Sequence, residues 1–167
     1  MAHSVEVQEQ GIAAAFSFQE MLRYSGPSSP AGVALGFKVM ERAFALLEPD
    51  GLVERREVVI ETAFGGPGAR DACELVTRAL TDSRYVVDPA LERPERGHTL
   101  RTFGFRVSYC DRTVSLLLRE GLVTDEFVRL ARSPDLIAEE QRHLATMKQA
   151  LAGRLMATNA ADLFDIA

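Results

Sequence analysis

The chain has no apolar run approaching the roughly 18–20 residues that a helix needs to cross a bilayer, so a membrane span is not expected. Cysteine is scarce. Cys73 and Cys110 are the only two, and they lack CxxC spacing, so both are read as small buried apolar groups rather than as a disulfide. Histidine is limited to His3, His98 and His143. A zinc centre needs three or four converging Cys, His or carboxylate ligands, and this spacing offers none. Lysine is nearly missing, with Lys38 and Lys148 alone among many arginines. An arginine can hold a carboxylate or phosphate in a bidentate fork, although a genome composition bias explains the preference as simply. Neither GxGxxG nor a Gly-Lys-Ser/Thr phosphate loop occurs. The first residues lack the basic-then-apolar order of a secretion signal, and a cytoplasmic location is expected. No internal repeat or low-complexity segment is visible.

What is present suits one domain. The chain has 167 residues, 47% hydrophobic and 26% charged, with a net charge of −5. That length can bury a full core without staples. The acidic balance argues against a nucleic-acid partner, whose phosphate backbone asks for a basic surface.

Residues 1–12 are polar and read as a loose arm, followed by a short helix from about Ala13 to Tyr24. The turn YSGPSSPAGVALG, Tyr24–Gly36, then opens a second helix. Ser29 can cap it, and Pro30 stands at the first position, where a missing N–H costs nothing. Val33, Phe37, Met40, Phe44 and Leu47 recur at helical spacing as an amphipathic stripe, which Pro49-Asp50-Gly51 ends. Glu54–Phe64 alternates as a strand. Gly65–Gly68 then turns into a helix over about Ala69–Leu80, packed through Ala72, Cys73, Leu75, Val76 and Ala79. A short strand is expected at Arg84–Asp88, a polar loop at Pro89–Gly97, and a hairpin of His98–Tyr109 with Thr113–Arg119 bent at Cys110-Asp111-Arg112. The C-terminal segment, 124–167, reads as helical: Thr124–Arg132, a break at Ser133-Pro134, Leu136–Met156, and a last turn ADLFDI after Asn159. Helix, strand, helix and three further strands, with helices packed on a mixed sheet, make an α+β plan.

Two glycine-rich loops are the candidate chemistry. Gly65, Gly66 and Gly68 precede a helix whose first turn offers free backbone N–H groups and the positive end of a dipole, with Arg70 and Asp71 just inside. A plain strand-to-helix connection is the competing reading. Ser25, Ser28 and Ser29 supply hydroxyls in the other loop, yet no histidine lies near in sequence to serve as the base a serine nucleophile requires. His98 is the one histidine expected to face a pocket. Glu139 and Glu140 with His143 read as a solvated helix face.

Tyr24–Gly36 resembles the opening of the FmdE-like proteins, a family named for its link to formylmethanofuran dehydrogenase, where a segment HGHxCPG leads into a helix continuing VALGYR. Gly26 and Pro30 match, Gly32 matches after the inserted Ala31, and Val33 to Lys38 continue the pattern. Glu61-Thr62, a glycine loop and Asp71-Ala72 are similar to the family's strand-to-helix segment. Gly97-His98 through Leu118 resembles its aromatic hairpin, and Ala160–Ile166 its closing turn. Where the family carries His, His and Cys, this chain has Ser25, Pro27 and Ser29. Gly65–Gly68 stands where a Cys commonly precedes the second helix, and the zinc ribbon of some members is missing. Serine hydroxyl and proline do not replace thiolate and imidazole as ligands of a soft or borderline metal, so the family's metal site is not carried over.

The resemblance implies an α-β-α-β-β-β core and a homodimer with the two loops bordering a cleft. The expected function is binding of a small anionic ligand between Ser25–Gly32 and Gly65–Asp71, with no metal and no named cofactor. Two other readings stand beside it. One is an enzyme working through Asp71, His98 and a serine, or through a metal acquired differently. The other is an accessory partner of a molybdenum or tungsten oxidoreductase, beside whose genes family members commonly sit.

Overall fold

The computed structural model describes residues 3–167. The first two residues of the expected arm lie outside that range. From Ser4 onward the arm is a hairpin: β1 (Ser4–Glu9) pairs antiparallel with β2 (Ile12–Ser17). Gln10 and Gly11 turn it with φ of 51° and 79°, the left-handed pair that suits the right-handed twist of a two-residue hairpin. The alanines of β2 favour a helix intrinsically, which is why sequence alone suggested one. Burial of Val5 and Val7 from β1 overrides that preference. The helix starts later, as α1 (Phe18–Ser25). Ser17 caps it reciprocally: its hydroxyl accepts from the Glu20 N–H at 3.1 Å, and the Glu20 carboxylate accepts from the Ser17 N–H at 3.2 Å.

The second helix, α2 (Pro30–Leu47), is the centre of the molecule. The stripe Val33, Phe37, Met40, Phe44 and Leu47 is buried as its spacing predicts, but so are Leu35, Lys38 and Val39 on the opposite side. Hydrophobic burial on all sides marks a core helix rather than a surface one, and the amphipathic expectation is corrected accordingly. Lys38 reaches Glu41 Oε1 at 3.1 Å.

The main sheet contains β3 (Val59–Thr62), β4 (Tyr85–Val87), β5 (Gly104–Tyr109), β6 (Arg112–Leu118) and β7 (Phe164–Ile166) in the order β4-β3-β5-β6-β7. β3 and β4 are parallel, joined across α3 (Pro67–Thr77), and the remaining pairs are antiparallel. Ile60, Thr62, Phe105, Val107, Leu116 and Leu118 face the helices. On the other face Arg106 forks onto Glu61 at 3.1 and 2.8 Å across the β3–β5 pair. The α+β plan with helices on a mixed sheet is present.

Several boundaries differ from the sequence reading. Glu54–Phe64 is not one strand, because Arg55–Glu57 forms a 3-10 turn. The Arg55 guanidinium donates to the Leu75 and Val76 carbonyls at 2.7 Å, pulling that segment onto the end of α3. The helix begins at Pro67 and stops where Arg78 turns left-handed at φ 57°. His98 sits not at the head of a strand but in the short α4 (Gly97–Leu100). Cys110 occupies the hairpin turn at φ 54°, exposed, while Cys73 is buried; both are free thiols. α5 (Asp125–Arg132) and α6 (Ala138–Ala157) follow. The terminal ADLFDI is α7 (Ala160–Leu163) plus β7, a fifth strand. Among the described residues no helix is long and apolar enough to cross a membrane.

Candidate functional site

The two glycine loops meet. A Cβ on Gly68 would lie 2.5 Å from the Ser29 carbonyl oxygen and 2.7 Å from the Val33 nitrogen. One on Gly36 would lie 2.9 Å from the Ala72 Cβ and 3.0 Å from the Ala69 backbone. Glycine is therefore required for α2 and α3 to cross at backbone contact. That crossing sets the starts of both helices side by side.

Beside the crossing is a cavity of about 530 Å³. Ser29, Gly65, Gly66 and Gly68, from the two loops, lie on its wall. Thr62 fixes how the chain enters it: the hydroxyl donates to the Gly104 carbonyl at 2.5 Å and accepts from the Phe64 N–H at 3.0 Å. Phe64 then folds over the loop where any side chain at Gly66 would collide with its ring. Its ring centroid is 4.9 Å from that of Phe103, tilted by 35°. Phe127 of α5 completes an aromatic wall.

The charges at the cavity come from elements that sequence spacing did not place there. Lys148 of α6 is half-buried and donates to the Ser28 carbonyl at 3.0 Å. Arg132, at the end of α5, reaches the Thr102 hydroxyl at 3.3 Å. Among the described residues neither cation is in an ion pair. Glu92 also lines the cavity, but Arg101 forks onto it at 2.8 and 2.5 Å and balances its charge. The sequence reading did not place Lys148 at a site, and only the tertiary return of α6 brings it here.

The two helix starts add to this field. α1, α5 and α6 carry acidic side chains in their first turns. α2 and α3 carry none, and neither has a side-chain cap. Ser29 precedes α2 without making the expected capping bond. First-turn amides and dipole ends therefore go uncompensated by acidic groups of their own helices.

The other expected site residues lie elsewhere. Arg70 donates through Nε and Nη2 to Asp71 Oδ1, each at 3.2 Å, and Ser25 Oγ donates to Asp71 Oδ2 at 2.9 Å. These three tie α1 to α3 and do not line the cavity, so the guanidinium fork of Arg70 is already engaged. Ser28 contributes its carbonyl to Lys148, not its hydroxyl to the cavity wall. His98 is exposed beside Glu120 and Asp125 in a shallow depression around α4. Asp71, His98 and a serine thus form no constellation.

Nucleophilic chemistry finds little support in the cavity. Ser29 and Thr102 bring hydroxyls, but no histidine or cysteine stands among the described lining residues. Burial pushes the Cys73 thiol up to about 12, leaving it protonated and inert. Tyr85, buried with no hydrogen-bond partner for its hydroxyl among the described residues, is likewise pushed up by burial. Among the described residues no three His, Cys, Asp or Glu side chains converge as metal ligands. Compared with models of known protein families and with curated proteins, the chain matches none.

Proposed function

We propose that this chain is a divergent FmdE-like protein, acting as a homodimer, that binds a small organic anion in the cavity between its two glycine loops. One observation carries the reading: Lys148 and Arg132 stand without carboxylate partners at a cavity that two acid-free helix starts also border. Positive groups collected this way repel one another until an anion joins them, and a site partly shielded from water makes that attraction stronger than at an open surface. Its volume of about 530 Å³ falls within the range of about 300–1,000 Å³ typical of small-molecule sites. Relative to the sequence expectation, the anion is held by Lys148 and Arg132 instead of Arg70.

Thermal unfolding in inorganic phosphate against chloride of equal ionic strength tests this. A bound anion at a hundred times its dissociation constant adds about 2.7 kcal/mol of stability. The wild type should gain selectively in phosphate, and Lys148→Met should lose that selective gain. Equal stabilisation of both proteins would leave only general salt effects and refute the reading.

A further inference from the structure

We infer that the anion bound here is a planar aromatic acid, an arene of one or two rings carrying a carboxylate or phosphate, seated with its ring inward and its charge at the cationic rim. The inference rests on the anion-binding reading above and narrows it to a ligand class. An inorganic ion does not fill this space: the cavity measures about 530 Å³, whereas a cavity of about 150 Å³ already holds a benzene ring. Left to an inorganic ion, the aromatic wall would stay wet.

The wall carries two kinds of side chain, the cations Lys148 and Arg132 and the rings of Phe64, Phe103 and Phe127. The same three phenylalanines also bound a second, small void of about 40 Å³, closed by Leu35, Leu118 and Val123 and nearly free of polar surface. The rings therefore lead into the core, whereas Arg132 is exposed and Lys148 half-buried. Phe64 and Phe103 lie 4.9 Å apart, tilted by 35°, so an aromatic pair already stands in the wall. A third ring added to such a pair gains stacking beyond the burial of its area, which an alkyl chain of equal area does not.

The probes are 1-naphthoate, 1-naphthyl phosphate, octanoate and the neutral 2-naphthol, titrated calorimetrically into the full chain. At least one naphthyl anion should bind about five- to ten-fold more tightly than octanoate. Lys148→Met and Arg132→Gln should each weaken that anion by about three- to five-fold while moving 2-naphthol less than about two-fold. Arg132 is exposed, so its variant guards against misfolding as the cause. Octanoate binding as tightly as both naphthyl anions would overturn the aromatic assignment and leave anion binding standing. Naphthyl binding that ignores both substitutions, or no binding by any of the anions, would overturn the anion reading together with this one.

Discussion

Gly68→Ala puts the crossing of α2 and α3 to a quantitative test. The added Cβ would stand 2.5 Å from the Ser29 oxygen, 2.7 Å from the Val33 nitrogen and 2.9 Å from the Gly32 carbonyl carbon. All three are backbone atoms, so no rotamer change relieves the overlap and the helices must separate. Overpacking of that kind costs about 1–3 kcal/mol, and a wholly backbone clash belongs at the upper end. Against it stands a gain of about 1 kcal/mol for replacing glycine with alanine in a helix. The balance is a loss of about 2 kcal/mol, or roughly 4–8 °C in Tm for a domain of this size. Gly153→Ala supplies the reference, because a Cβ there meets nothing within 4 Å in the middle of α6. It should gain about 0.5–1 kcal/mol. The assay is urea unfolding of both variants beside the wild type, followed by circular dichroism. If Gly68→Ala proves as stabilising as Gly153→Ala, the backbones do not touch, and the cavity they border loses its basis.

Ser25→Ala should cost about 1–2 kcal/mol in urea unfolding, the value of a hydrogen bond to a carboxylate, and leave phosphate or naphthyl binding unchanged, because the Ser25–Asp71 bond lies off the cavity. Glu74 is buried at 5% exposure, which by itself would raise its carboxyl. Hydrogen bonds from the Thr81 hydroxyl and N–H, with the Leu80 backbone and the Arg78 charge, together outweigh that and hold it below its ordinary value of 4.5. Its contribution is therefore present above pH 4.5 and is lost as pH falls through the lower folded value. Glu74→Gln should lose about 1–3 kcal/mol at neutral pH and converge on the wild type in acid; a gap constant with pH would contradict this. In a thiol titration Cys110 should react in the native protein and Cys73 only after unfolding, since one is exposed and the other buried.

The parts of this fold legible in sequence were those whose pattern is local. The α2 stripe, the β5–β6 hairpin around Cys110-Asp111, and the glycine entry to α3 each show periodicity or turn residues within a short window. The N-terminal hairpin was not legible, because Ile12 to Ala15 favour a helix and only pairing with β1 holds them extended. The last strand was hidden for a similar reason. Phe164–Ile166 is too short to show alternation and is a strand only because β6 offers an edge. At the site, the sequence pointed to both loops but misjudged why glycine is there. Gly36 and Gly68 serve the close crossing of helices, a role decided by residues far away in the chain. Arg70 looked available because its neighbour Asp71 was not seen as its partner. Lys148 and Arg132, the cations that do line the cavity, arrive from helices at the other end of the chain.

The anion-binding role proposed for Arg132 carries a stability signature that separates a binding cation from a structural one. Arg132 is exposed, and among the described residues its side chain makes one hydrogen bond, at 3.3 Å, to Thr102. Such a bond at a solvent-exposed side chain contributes little, and among the described residues no carboxylate pairs with the guanidinium. Arg132 lines the same cavity as Lys148 and the two helix starts, with Glu92 there already held by Arg101, so in the empty protein it adds to a positive field. Arg132→Gln should therefore leave the unliganded Tm unchanged or raise it, an effect within about 0.5 kcal/mol, while phosphate stabilisation falls. An arginine placed to hold α5 against Thr102 would behave oppositely, lowering the unliganded Tm and sparing the ligand response. Thermal unfolding of the two proteins with and without phosphate distinguishes the cases. A fall in unliganded Tm of several degrees, with phosphate stabilisation intact, would return Arg132 to the scaffold and leave Lys148 alone at the rim.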